Sequence, residues 1–105
     1  MEITTARVVN STELELVLLS YEIIIDDINK NMKVDSRKVN LTNAKNFLMN
    51  LRSAIDMKYD MAKNLIALYD YVGTLLVSSE ITSNDERREA LLSEASNIMT
   101  KLYEA

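Results

Sequence analysis

From Thr12 onwards the chain falls into four stretches in which apolar residues return every three or four positions. In the first, Leu14, Val17, Leu18, Tyr21, Ile24, Ile25, Ile28 and Met32 share one broad stripe at about 100° per residue, the mark of an amphipathic helix. Thr12 and Glu15 are placed for a capping box at its start, so this helix is predicted over 12–32. "KVDSR" (33–37) breaks the pattern, with Asp35 or Ser36 as the next cap. A second helix over 36–56 follows, carrying Leu41, Ala44, Leu48, Leu51 and Ile55, with Phe47 and Ala54 widening its stripe. A turn is placed in "DMKYD" (56–60), because an unbroken helix from 37 to 79 could not fold back into one core. The third helix, over 61–79, turns Met61, Leu65, Leu68, Tyr69, Val72, Leu75 and Leu76 inward. "ITSNDE" ends it, and Ser83 with Glu86 forms another capping box for a fourth helix over 84–103, whose face is Leu91, Leu92, Ala95, Ile98, Met99 and Leu102. Residues 1–11 show no period and read as a flexible N-terminal arm. The expected fold is all-α: one domain over 1–105, an antiparallel up-and-down four-helix bundle.

Composition narrows the chemistry more than the fold. The 105 residues contain no Pro, one Gly, no Cys and no His. So little turn punctuation suits a few long helices better than many short strands. Without Cys or His there is no thiol nucleophile, disulfide, imidazole base or zinc site of the usual ligand types. No GxSxG, P-loop or other glycine-rich phosphate cradle is present. The adjacent carboxylates Asp26 and Asp27 diverge on a helix and read as a solvated face. The expectation is a protein without catalysis and without a cofactor or metal. No stretch reaches the ~18 continuous apolar residues of a spanning helix, and Met1–Asn10 lacks the pattern of a signal peptide, so a cytoplasmic protein is expected. A net charge of −4 speaks against nucleic acid as a partner.

Charge is sorted by helix. Between Val8 and Asn29 the first helix carries only acidic charges (Glu13, Glu15, Glu22, Asp26, Asp27), whereas Lys30–Lys63 holds eight basic residues against three acidic. Two readings follow: neighbouring helices attract one another, or each sign orients a partner.

Two helices carry more apolar surface than one core can use. On the first, Leu16, Leu19 and Ile23 repeat at three and four, nearly opposite the core stripe. On the third, Ile66, Gly73 and Val77 lie about 100° from the core centre, with Ala62 beside them. Gly73 weakens a helix by about 1 kcal/mol relative to alanine, a cost that a close approach by another helix would explain. Tyr71 points to the other flank, where its ring can cover apolar surface while its hydroxyl stays wet. These faces suit an internal neighbour, a second copy of the chain, or a groove for an amphipathic segment. Six Met, with Met49 and Met57 off the core stripe, serve as gap-fillers or as an adaptable surface.

Three stretches in order resemble the FliS family of flagellar export chaperones. "LIALYDYV" (65–72), preceded by Asn64, resembles its signature helix. "TELELVLLSYE" (12–22) resembles its capped N-terminal helix, and "NAKNFLMNLRSAID" (43–56) its second helix. Ser20 stands where that family usually has Leu, and the chain has no Trp near its C-terminus. The resemblance implies a helical bundle that binds the disordered C-terminal segment of flagellin in the cytoplasm, prevents its premature polymerisation and assists its export. The implied partners are flagellin and the flagellar export apparatus. Wheel geometry assigns partner binding to Leu16, Leu19, Ile23, Ile66, Tyr71, Gly73 and Val77, with Tyr21 and Tyr69 kept for the core. The alternative from a different class is a self-associating module that buries the same faces in a homodimer.

Overall fold

A computed structural model describes residues 13–35, 38–55 and 60–104, with side chains from residue 15 onwards. Among the described residues there are four helices: α1 (Glu13–Asn31), α2 (Thr42–Ser53), α3 (Ala62–Ile81) and α4 (Asp85–Glu104). The expected arm over 1–11, the Thr12 cap, Ser36, Met57 and most of the turn at 56–60 lie outside the described residues.

Each helix packs on its neighbours in the chain, and α4 closes the ring on α1; α2 and α3 touch least. Bonds between the helices show that every neighbouring pair is antiparallel. Ser96 and Tyr103 of α4 meet Asn29 and Glu22 of α1 in reverse order. Lys45 and Arg52 of α2 likewise meet Glu80 and Asp70 of α3. The architecture is therefore the all-α four-helix bundle that the periodicity predicts.

The core forms because each helix turns one stripe to the common axis, burying apolar area at roughly 25 cal/mol per Å². Ile24 and Ile28 of α1, Ala44 and Leu48 of α2, Val72 and Leu76 of α3, and Leu92, Ala95 and Met99 of α4 are all buried in one cluster, with Leu41 beside them. At its centre the diagonal helices α1 and α3 meet through Tyr21 and Tyr69. Their hydroxyls lie 2.6 Å apart and their rings stand edge to face, 6.4 Å between centroids. Burial, and then the bond to Tyr21, push the Tyr69 phenol well above its ordinary pKa.

Several local expectations are corrected. The second helix starts at Thr42, six residues late. Asn31 explains the delay: its buried side-chain amide donates to the Asn40 carbonyl (3.0 Å) and accepts from the Asn40 N–H (2.8 Å), acting as a substitute peptide that engages residue 40 in place of helix bonds. Leu41 then occupies the cap position with no side-chain cap, because its side chain is in the core. The free amides are satisfied from elsewhere. Asn40 Oδ1 accepts from Thr42, and Asp27 Oδ2 reaches from α1 to accept from Ala44 at 2.9 Å. Asp27 is thus no idle solvated acid; it caps a neighbouring helix, where its charge also favours the positive end of the dipole.

At the same end of the bundle the cap of α4 is Asn84, whose Oδ1 accepts from Arg87 N–H, not the expected Ser83. Arg88 is buried at 5% exposure. Its guanidinium donates to the carbonyls of Ser79 (3.2 Å) and Thr82 (2.6 Å) and to Asp85 (2.5 Å), so α4 supplies the cation that closes the C-terminus of α3. Met61 and Leu68, expected inward, are exposed. Met61 is the N-cap residue, before the first turn of α3, so the stripe does not carry it into the core, and Leu68 lies on one flank of the stripe, outside the core cluster. Ala54 is exposed as well, one residue beyond the end of α2.

Candidate functional site: the groove between α2 and α3

The two helices that touch least leave a groove of about 540 Å³ between them. Leu48 and Met49 of α2 and Tyr69, Gly73 and Val77 of α3 give it apolar walls, while Thr74 and Ser78 supply a polar edge. Tyr69, Gly73 and Val77 follow at intervals of four, which places them one above another along α3. Met49 is 65% and Val77 48% exposed, although both are apolar. Ile81, one further turn along, is 79% exposed and extends the apolar edge beyond the groove.

Two ion pairs join the helices here. Lys45 Nζ lies 2.7 Å from Glu80, and Arg52 Nε lies 2.6 Å from Asp70. The basic members stand on α2 and the acidic members on α3. The charge sorting therefore ties α2 to α3. The Arg52 bond holds the Asp70 carboxyl below the usual carboxylate range, and Asp70 in turn raises the guanidinium. Both members of that pair are well exposed, so it is weak in water.

The residues expected to bind a partner do not form one surface. Gly73 and Val77 line the groove. Ile66 is half-buried on the same flank of α3 but is not part of the groove lining. Tyr71 is on the opposite flank, where its hydroxyl is not simply wet: it donates to Glu94 of α4 at 2.6 Å, a bond that raises its pKa. On α1, Leu16 is exposed and Ile23 half-buried, but Leu19 is buried at 5% and stands apart from the main core cluster. Leu19 therefore departs from the expected open face. Ile23 lines a second cleft, between the end of α1 and the start of α2, amid Asp26, Asp27, Lys30 and Lys33. That cleft is larger, about 810 Å³, but its charged walls and the use of Asp27 as a helix cap make it less suited to an apolar guest.

Lys45, Leu48, Arg52 and Asp70 went unassigned to a site in the sequence. Leu48 belongs to a core stripe, and nothing in its spacing shows that one side of it faces an opening. Met49 did carry a signal, as an apolar residue off its stripe.

A family model described as "Flagellar protein FliS" matches residues 3–105. The chain belongs to the FliS family of flagellar chaperones. The match spans nearly the whole sequence, so the four helices and the groove all lie within the family's own domain. No curated protein and no solved structure matches the chain. Among the described residues, no helix is long and apolar enough to cross a membrane, and no group of three or more acids could hold a metal ion.

Proposed function

We propose that this FliS-family protein acts in the cytoplasm as a non-catalytic chaperone that binds the disordered C-terminal segment of flagellin, keeps it from polymerising early and assists its passage to the export apparatus. The observation that carries the reading is the α2–α3 groove: apolar walls, open at the seam where the bundle is least closed, in a member of a flagellar chaperone family. An amphipathic helix laid in such a groove buries its apolar face without disturbing the bundle. A segment that is disordered when free costs several kcal/mol to order, so a long contact is needed. Leu16 and Ile23 on α1 and Ile66 and Tyr71 on α3 are further contacts for a segment that wraps the bundle, with Leu19 supporting the α1 face from beneath.

The test is calorimetric titration of the protein with the C-terminal segment of flagellin from the same organism. One-to-one binding with a negative heat-capacity change is expected. Val77→Asp puts a charge on the groove wall at a half-exposed position, so the helical circular dichroism should survive while affinity falls about 10- to 100-fold. Unchanged affinity in that variant would move the site away from the groove. A stable dimer that fails to bind flagellin would favour the self-association alternative.

A further inference from the structure

Among the described residues, nothing in the packing of the chain itself explains Gly73. Glycine inside a helix is destabilising relative to alanine. The backbone at Gly73 is not left-handed. Among the described residues, a Cβ placed there meets only Leu48 Cδ2, at 3.7 Å, which is ordinary van der Waals contact. The close helix approach expected from the sequence is therefore not tight enough to require glycine. Alanine fits the free protein and stabilises it.

What the missing side chain does create is a notch. Along the α3 wall of the groove the successive residues are Tyr69, Gly73 and Val77: a ring, a gap and a branched chain, with Leu48 opposite the gap. A notch of this kind between ridges receives a knob from a neighbouring helix. We infer that Gly73 is the specificity-determining position of this groove, opening a notch that receives one large apolar side chain, such as Leu, Met or Phe, of the bound segment. The inference rests on the flagellin-segment reading and adds to it what the segment must present.

The surrounding charges describe the rest of that segment. Lys45 and Arg52, seven residues apart on one face of α2, are held by Glu80 and Asp70 of α3. The Arg52–Asp70 pair is exposed and contributes little, so a guest can exchange into it at small cost; the Lys45–Glu80 pair is part-buried. The matching guest is an amphipathic helix with a large apolar residue over Gly73, acidic side chains on the flank toward α2 and basic ones on the flank toward α3.

The experiment titrates the wild-type protein, Gly73→Ala and Gly73→Leu with the flagellin C-terminal segment, and records thermal unfolding of each. Gly73→Ala is expected to raise Tm by a few degrees yet weaken binding about tenfold, because a methyl group fills part of the notch. Gly73→Leu fills it and should weaken binding by about 100-fold or more, with affinity partly restored by a segment whose anchoring residue, found by alanine scanning, is cut back to alanine. Wild-type affinity in both Gly73 variants, with the wild type itself binding, overturns the inference and leaves the chaperone reading standing. No binding by the wild type removes that reading, and this inference with it. Should Gly73→Leu fail to fold, Gly73→Ala decides alone: higher Tm with weaker binding supports the notch, and higher Tm with unchanged binding refutes it.

Discussion

Removing one hydroxyl from the centre of this bundle should cost more than removing two. Tyr21 and Tyr69 are 6% and 3% exposed, and each hydroxyl has the other within 2.6 Å. Tyr69→Phe deletes that bond and also leaves the Tyr21 hydroxyl buried without its partner. The net bond is worth about 1 kcal/mol, and stranding a buried polar group costs about 1–3 kcal/mol, so each single change should destabilise by about 2–4 kcal/mol. The double variant strands nothing. The two rings keep their edge-to-face packing, and the expected loss is below about 1 kcal/mol. The cycle should therefore show a coupling of a few kcal/mol, far outside the ~0.5 kcal/mol scatter of independent sites. Urea unfolding followed by circular dichroism measures all four proteins, with constant slopes confirming that the denatured states are comparable. A double variant as destabilised as the sum of the singles would refute the account.

The same pair predicts behaviour in alkali. In the unfolded chain Tyr69 ionises near pH ~10, whereas burial holds the native phenol neutral to higher pH. Above that pH the unfolded state has lost a proton that the native state keeps. This contribution to stability is intact below pH ~10 and falls by about 1.4 kcal/mol for each further pH unit. Tyr69→Phe should remove this component of the slope; an unchanged slope would place the alkaline loss elsewhere.

Two further predictions concern the helix ends. Arg88→Ala strips three bonds from a buried guanidinium and leaves the Ser79 and Thr82 carbonyls of the α3 terminus without their cation, at a cost of about 2–4 kcal/mol in thermal unfolding; a loss below about 0.5 kcal/mol would contradict the capping role. Asp27→Ala removes the acceptor for the Ala44 amide and should cost about 1–2 kcal/mol, with faster hydrogen exchange confined to the first turn of α2; uniform exchange through the helix would be inconsistent with a local cap.

Much of the bundle was legible because one physical requirement governs it. Ile24, Ile28, Leu92, Ala95 and Met99 recur at helical spacing, and all five reach the core, since a helix against a bundle has one buried face. The start of α2 was not legible. It is decided by Asn31 and Asp27, which lie on another helix and act through hydrogen bonds that no periodicity records. Met61 belongs to the stripe by spacing, yet it is the N-cap residue before α3 begins, a boundary the sequence does not mark; Leu68 shares the side of the wheel of buried Leu75 and is exposed only through how the neighbouring helices pack, which spacing does not record. The groove is harder still to read. Gly73 and Val77 stand out on α3 alone, but Leu48 belongs to a core stripe of α2, and the opening arises only where α2 and α3 come together and touch less than the other neighbouring pairs.

The central claim is that the groove between α2 and α3 holds the flagellin segment. The most direct measurement is the change in backbone amide chemical shifts of the isotope-labelled protein on adding one equivalent of the C-terminal segment of flagellin. The account predicts the largest changes at Leu48, Met49, Arg52, Tyr69, Gly73 and Val77, lining the groove on both helices. Saturating binding that leaves those six amides unmoved would contradict it.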